Sequence, residues 1–336
     1  MSSALVITNK YSGTKLAGDI YRGTIFHILH KRGIMHEVIH CHDGQGIVKS
    51  ERAVGLMKAR DWSCVVVIAG DGTVHEAVNS MVEAGIHRRT PLLVVPAGRM
   101  NSLASSIKMT SVDAAVDTLR DYFAAKSRTV RMPLWEMTEP IRGRKALFHG
   151  FFGVGWHAAS LREAALLTDW WSHFAVMPGL KHPYFWASLR QAWLAKSFPM
   201  KIFYENTQGV DMELSGEYSY LHATQLRMNG MKNIVSPNAS LDARLLWVTA
   251  APPMGIRQSL RFGGSMSTGK HVDMEGVHYF AAKSLSVLVE RPHEESGLVG
   301  DSTAMLDGFP MHPAEAMGCV RITPSSHEIT VLCPSG

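Results

Sequence analysis

The first hundred residues repeat a punctuation that few folds can satisfy: a short apolar run, a glycine-bearing turn, then a helical pattern. Ala4–Thr8 ends in Asn9-Lys-Tyr-Ser-Gly13, and residues 16–32 follow with Leu16, Ile20, Ile25, Ile28 and Leu29 near helical spacing. Cys64–Ala69 ends in Gly70-Asp-Gly72 before the helical stretch Val74–Glu83, and Pro91–Val95 ends in Pro96-Ala-Gly98 before a further helix. Glu37–His40 reads as another strand and Val48–Lys58 as another helix. Such alternation predicts a parallel, doubly wound sheet, with ligands beyond the carboxyl ends of its strands.

Past residue 130 the texture changes. Val130–Met137, Lys145–Val154, Met200–Tyr204, Val210–Leu214, Tyr218–Met228, Leu245–Ala250, Leu285–Glu290 and Ile329–Leu332 read as short strands between Gly, Pro, Asn and Asp. One helical insertion, roughly Ala158–Leu194, is rich in Trp, Phe and Met. The expected fold class is therefore α/β plus all-β. A nucleotide-binding α/β domain takes residues 1–132, and an antiparallel β-sandwich with a helical insertion takes residues 133–336. The last strand is free to pack back on the first domain.

Composition narrows the function classes. A formal charge of +5 on 336 residues suits phosphate-bearing ligands or acidic surfaces and falls short of a nucleic-acid signature. Four cysteines stand far apart with no Cys-x-x-Cys pair, against a zinc site or disulfide framework and in keeping with a reducing compartment. Most of the seventeen histidines are scattered singly, and no metal-ligand spacing stands out. Apolar runs are strand-sized and the N-terminus lacks a basic or apolar leader. A soluble intracellular protein is expected, cytoplasmic by default, with an organelle also compatible.

The turns carry the chemistry. Gly70 and Gly72 allow close backbone approach to an anion, with the N–H groups of the next helix facing it. Asp71 stands where a carboxylate can take a proton from a hydroxyl or help hold a metal. A lone Gly-Asp-Gly is more often an ordinary turn. Its recurrence with Pro96-Ala-Gly-Arg-Met-Asn101 and with Asn9–Lys15, each between strand and helix, is far more specific. Glu76 is placed to brace the loop, and His75 is expected at the solvent face. The Trp170–Met177 stretch and Trp193 fit a core or an acyl-chain wall.

These motifs resemble the catalytic domain of diacylglycerol and sphingosine kinases, most closely the sphingosine kinase-like proteins. Asn9…Ser12-Gly13, Gly70-Asp-Gly-Thr-x-x-Glu-x-x-Asn79 and Pro96-Ala-Gly-x-x-Asn-x-x-Ala104 match in order. Ser236–Asp242, Gly269-Lys-His271 and Leu306-Asp-Gly-Phe309 extend the match through the second half. The resemblance implies ATP-dependent phosphorylation of a lipid hydroxyl, of a sphingoid base or diacylglycerol, with Mg2+ in an interdomain cleft. It implies Asp71 and Asp307 as catalytic residues. Asn9, Ser12, Gly13, Lys15, Gly70, Gly72, Thr73, Gly98 and Asn101 would surround the nucleotide. His157, Trp170 and Phe174 would meet the substrate, and a lipid or membrane surface would be the partner.

Departures point to a second function. Arg99-Met100 stands for Thr/Ser-Gly, Phe309 for a glutamate, and Asp242-Ala-Arg244 for a segment ending in glycine. Met100 in a glycine-type backbone would cost on the order of 1–3 kcal/mol or reshape the loop. The alternative is thus a pseudokinase serving as a structural or assembly subunit of a protein complex.

Overall fold

A computed structural model describes residues 2–13, 16–41, 51–140, 143–171, 183–194, 197–230, 232–290, 304–311 and 318–335. The first half runs β1 (Ser3–Asn9), α1 (Ala17–Ile20), a π-helical turn (Tyr21–Ile25), α2 (Phe26–Lys31), β2 (Met35–Cys41), α3 (Glu51–Lys58) and β3 (Cys64–Ala69). It continues through α4 (Asp71–Glu83), β4 (Leu92–Pro96), α5 (Ser102–Ser106) and α6 (Val112–Phe123). Strands β2, β1, β3 and β4 lie side by side and parallel. β3 is buried along its whole length, as its unbroken β-branched run requires when helices cover both sheet faces.

The second half begins with β5 (Arg128–Glu139), β6 (Arg144–Phe148), β7 (Phe151–Gly155), α7 (Trp156–Trp171) and α8 (Pro183–Leu194). Then come β8 (Phe198–Glu205), β9 (Asp211–Tyr218), β10 (Tyr220–Thr224), β11 (Leu246–Ala251), α9 (Ile256–Ser265), β12 (His278–Ala282) and β13 (Ser284–Val289). β14 (Ala304–Leu306), β15 (Phe309–Pro310) and β16 (Gly318–Cys333) close the chain. A six-stranded antiparallel sheet, β12-β11-β10-β7-β14-β15, packs on the antiparallel strands of the larger sheet through Trp135, Phe148, Phe152, Leu221, Ile202 and Ile322.

The two halves share one sheet. β16 lies beside β4 through Val331 and Leu92, and is antiparallel to β5 and β13, with a bulge between Pro324 and Glu328. β5 itself runs unbroken through the residue 132/133 boundary.

Three readings from sequence need correction. Lys145–Val154 is not one strand: His149 and Gly150 break it into β6 and β7, because their N–H groups turn aside to bind Asp307. Ile329–Leu332 is only the end of the sixteen-residue β16. The helix over residues 16–32 contains a π-helical turn. Residues 48–50 lie outside the described residues.

Arg244 occupies the left-handed region (φ 46°), which favours glycine. Its ion pair to Glu328, at 3.5 Å and half exposed, adds little. Arg244→Gly is expected to stabilise the fold by about 1 kcal/mol, read as a rise in the denaturant midpoint.

Candidate functional site

The three glycine turns meet. A Cβ on Gly13 would lie 2.6 Å from the Gly98 carbonyl carbon, and one on Gly98 would lie 2.3 Å from Gly70 Cα. Only glycine permits this backbone-to-backbone approach. Side chains then tie the turns together. Asn9 Nδ2 donates to Thr73 Oγ1 (2.8 Å), and Gly70 N–H donates to Ser12 Oγ (3.3 Å). Gly98 N–H donates to Asn101 Oδ1 (2.8 Å), and Asn101 Nδ2 returns a bond to the Gly98 carbonyl (2.9 Å). Gly98→Ala is expected to cost on the order of 3 kcal/mol by forcing the turns apart. A thermal melt would read it.

The third turn answers the Met100 question. The left-handed residue is Asn101 (φ 55°, ψ 50°), a residue type that tolerates this conformation, so Met100 is spared it. Met100 packs beside Gly230, its Cε 3.6 Å from where a Cβ would stand.

Asp71 is the first residue of α4, and the N–H of Ser102 donates to its Oδ1 at 2.7 Å. Burial pushes its pKa up, the nearby Asp307 carboxylate adds to this, and the His149 charge and the Ser102 and Leu103 N–H groups oppose it. The net position is above an ordinary aspartate. From Asp71 a chain of polar groups crosses to the second half of the protein. Ser102 Oγ lies 3.3 Å from Asp71 Oδ2 and donates to Asn229 Oδ1 at 3.0 Å. Asn229 Nδ2 donates to His157 Nε2 at 2.8 Å.

His157 and Asn229 form the polar floor of a cavity of about 390 Å³. Trp156, Leu189, Tyr220, Leu260 and Met266 supply most of its apolar wall, drawn from α7, α8, β10 and α9 and the turn after α9. Burial pushes the His157 pKa down to about 4, so the imidazole is neutral at pH 7.

Asp307 sits at the tip of the β14–β15 hairpin. Asp307 and Gly308 both have positive φ (48° and 85°), as a two-residue type I′ turn demands. Its carboxylate is saturated. The N–H groups of His149, Gly150 and Phe151 donate to it at 3.0, 2.7 and 2.8 Å, and His75 Nδ1 lies 2.8 Å from Oδ2. Burial alone would raise its pKa, but His149 and then His75 outweigh that and hold it well below the usual carboxylate range.

Eight of the nine residues expected around a nucleotide thus converge: Asn9, Ser12, Gly13, Gly70, Gly72, Thr73, Gly98 and Asn101. Lys15, Phe174 and the Trp170 and Phe309 side chains lie outside the described residues. Glu76 is buried. His75 does not face solvent: it turns inward to Asp307, with its side chain 12 % exposed. Its spacing from Asp71, four residues along one helix, puts both on one face and was the available signal. Asn229 was marked, with Gly230, only through the family resemblance; Ser102 and His149 carried no sequence signal, since one opens a short helix and the other sits at an irregular junction between strands.

A parallel α/β unit with converging glycine turns thus continues into an antiparallel sheet and faces an apolar cavity. Residues 3–132 match the family described as Diacylglycerol kinase catalytic domain. That match covers the parallel half of the chain, the part that carries the three glycine turns.

A crystal structure of a diacylglycerol kinase from Bacillus anthracis str. Sterne is similar at 14% identity, with a TM-score of 0.63, covering 98% of this chain and 96% of that one. A second diacylglycerol kinase candidate from the same organism gives 17% identity and a TM-score of 0.68, covering 99% and 97%. Yeast NADH kinase complexed with NADH is similar at 8% identity and TM-score 0.53, covering 99% of this chain and 83% of that one. At these identities the likeness is one of fold. The sequence finds no match among curated proteins. No helix among the described residues is long and apolar enough to cross a membrane.

Proposed function

We propose that the chain phosphorylates the hydroxyl of a lipid with an uncharged head, of the diacylglycerol class and not a sphingoid base. The observation that carries this reading is the polar relay Asp71–Ser102–Asn229–His157, which links the cavity floor to the converging turns. An acyl chain fits the apolar wall, and its hydroxyl would reach past the floor toward the turns to come within hydrogen-bond distance of Asp71. Sphingosine kinases set an acidic group near His157 for the sphingoid amine. Here a neutral imidazole already accepts the Asn229 amide, so the floor offers no counter-charge to an ammonium.

In this reading residues 1–132 receive the nucleotide and residues from 133 onward receive the lipid. The donor set suits a triphosphate: α4 begins at the turns, and its first-turn N–H groups have no partner within the helix. Asn9, Ser12, Gly72 and Thr73 would hold the phosphates, and Asp71 Oδ2 is the oxygen left for Mg2+ or for the substrate proton. ATP supplies the γ-phosphoryl group and Mg2+ neutralises its charge. Asp71, with its raised pKa, takes the hydroxyl proton. Ser102 fixes the Asp71 carboxylate, and Asn229 orients the lipid head. Asp307 orients its neighbours, because a saturated carboxylate of depressed pKa makes a poor base. Purified protein with Mg-ATP should phosphorylate diacylglycerol in mixed micelles and leave sphingosine untouched, and Asp71→Asn should abolish the reaction. Equal turnover of both lipids would contradict the head-group assignment.

The saturation of Asp307 and the hydrogen bonds already held by the Gly70 and Gly98 N–H groups favour a second reading, a lapsed kinase retained as a subunit of a complex. Calorimetry separates the two: micromolar Mg-ATP binding supports the enzyme, and its absence supports the subunit.

A further inference from the structure

Two of the scattered histidines come together around Asp307. We propose that His75, His149 and Asp307 form a binding site for a divalent first-row transition ion of the Zn2+ or Co2+ type, a site separate from that of the nucleotide's magnesium. Each residue offers one ligand atom, and the three atoms lie within 4.8 Å of one another. Asp307 Oδ2 is 2.8 Å from His75 Nδ1 and 2.9 Å from His149 Nδ1. Metal–nitrogen and metal–oxygen bonds of about 2.0–2.1 Å in a tetrahedral site separate ligands by roughly 3.3 Å. Admitting an ion therefore needs each oxygen–nitrogen separation to open by about half an ångström.

Two features mark this as a built site and not a chance encounter. The first is the fixed carboxylate. Three backbone N–H groups, from His149, Gly150 and Phe151, lock the Asp307 oxygens in place, the outer-shell support a ligating carboxylate needs. The second is His149 itself. Its side chain is 2 % exposed, and its Nδ1 aims into the cluster with no hydrogen-bond partner in line. At 2.9 Å from Asp307 Oδ2 it is an ion contact off the line that an N–H···O bond requires. Without an ion, a proton on this nitrogen faces Asp307 off the line of a good hydrogen bond. A cation between the three atoms would take that proton's place.

The ligands also come from rigid places: the first turns of α4, the β6–β7 junction and the tip of the β14–β15 hairpin. Two imidazoles and one carboxylate leave one or more coordination positions open. Imidazole nitrogen selects Zn2+, Co2+ or Fe2+ over Mg2+ and Ca2+, which prefer all-oxygen sites. His75 is the least buried member of the cluster, so entry is from its side.

The site goes beyond the kinase reading and does not depend on it, because binding is measured without nucleotide or lipid. Full-length protein stripped with a chelator and dialysed should take up one equivalent of Co2+ with the visible absorption bands of a low-coordinate nitrogen–oxygen site. Zn2+ should displace it, and millimolar Mg2+ should not. His75→Asn, at the least buried member, should keep the fold by circular dichroism and weaken Co2+ at least tenfold. His149→Asn, where it folds, should do the same. The proposal is overturned if stoichiometric Co2+ binding is absent. Binding unchanged in a folded His75→Asn protein, or competed equally by Mg2+, would overturn it too.

Discussion

Between pH 6.5 and pH 4 the protein should lose about 6 kcal/mol of folding stability to two buried histidines, enough to unfold many domains. His157 and His271 are each pushed down to about 4 from an ordinary 6.5, in both cases first by burial. A separation near 2.5 units is worth about 3 kcal/mol per histidine. The sign follows from proton uptake. In that window the unfolded chain binds protons that the folded chain refuses, so stability falls as pH falls.

His222 lies between them with its pKa also depressed, by burial and by the His157 and His271 charges. His157 faces Asn229, Tyr220, Phe151 and His222. His271 meets Phe262 and the Val235 carbonyl, and Asp273 opposes its depression only partly. Urea melts at pH 7, 5.5 and 4.5 would trace the slope. Neither ring nitrogen of His222 has a hydrogen-bond partner among the described residues. His222→Leu, close in volume, should therefore be near neutral at pH 7 and should shallow the acid slope. A stability profile flat from pH 7 to 4.5 would contradict the neutral-histidine assignment.

The second large effect is at the hairpin tip. Asp307→Ala removes the acceptor of three buried N–H groups and the counter-charge of His149, whose pKa is raised by Asp307 against the lowering effect of burial. Breaking a buried ion pair costs about 3–5 kcal/mol, and each orphaned donor about 1–3 more. The variant is expected to be insoluble or to melt far below the parent. Asp307→Asn, which keeps one acceptor oxygen, should fall between the two. A melting temperature within a degree or two of the parent for Asp307→Ala would mean that the clamp carries no stability.

The parallel half was readable because its signals are local. Cys64–Ala69 is apolar on both faces, and each glycine turn sits where strand gives way to helix. Asp71 was visible for the same reason, as part of a small turn motif with distinctive neighbours, and Asp307 only through the family resemblance. The polar relay and the histidine cluster were not, because they are made by tertiary contact. Ser102 meets Asn229 across 127 positions, and His75 meets Asp307 across 232. No period or spacing encodes such a meeting. His75 was misread because a helix position next to a glycine turn looks outward until the second sheet is folded over it. Lys145–Val154 was misread because the pull of Asp307 on two N–H groups is invisible from within that segment.

β16 has a consequence for how any ligand gets in. Many two-lobed enzymes admit their substrates by swinging one lobe on a flexible connector. Here a single ribbon is stitched at once to β4, β5 and β13, so such a swing would have to unzip it. The cavity walls on α7, α8 and α9 are not bound into that ribbon, so any widening for a bulky ligand falls to those helices, and tethering them to one another with an engineered crosslink would arrest it.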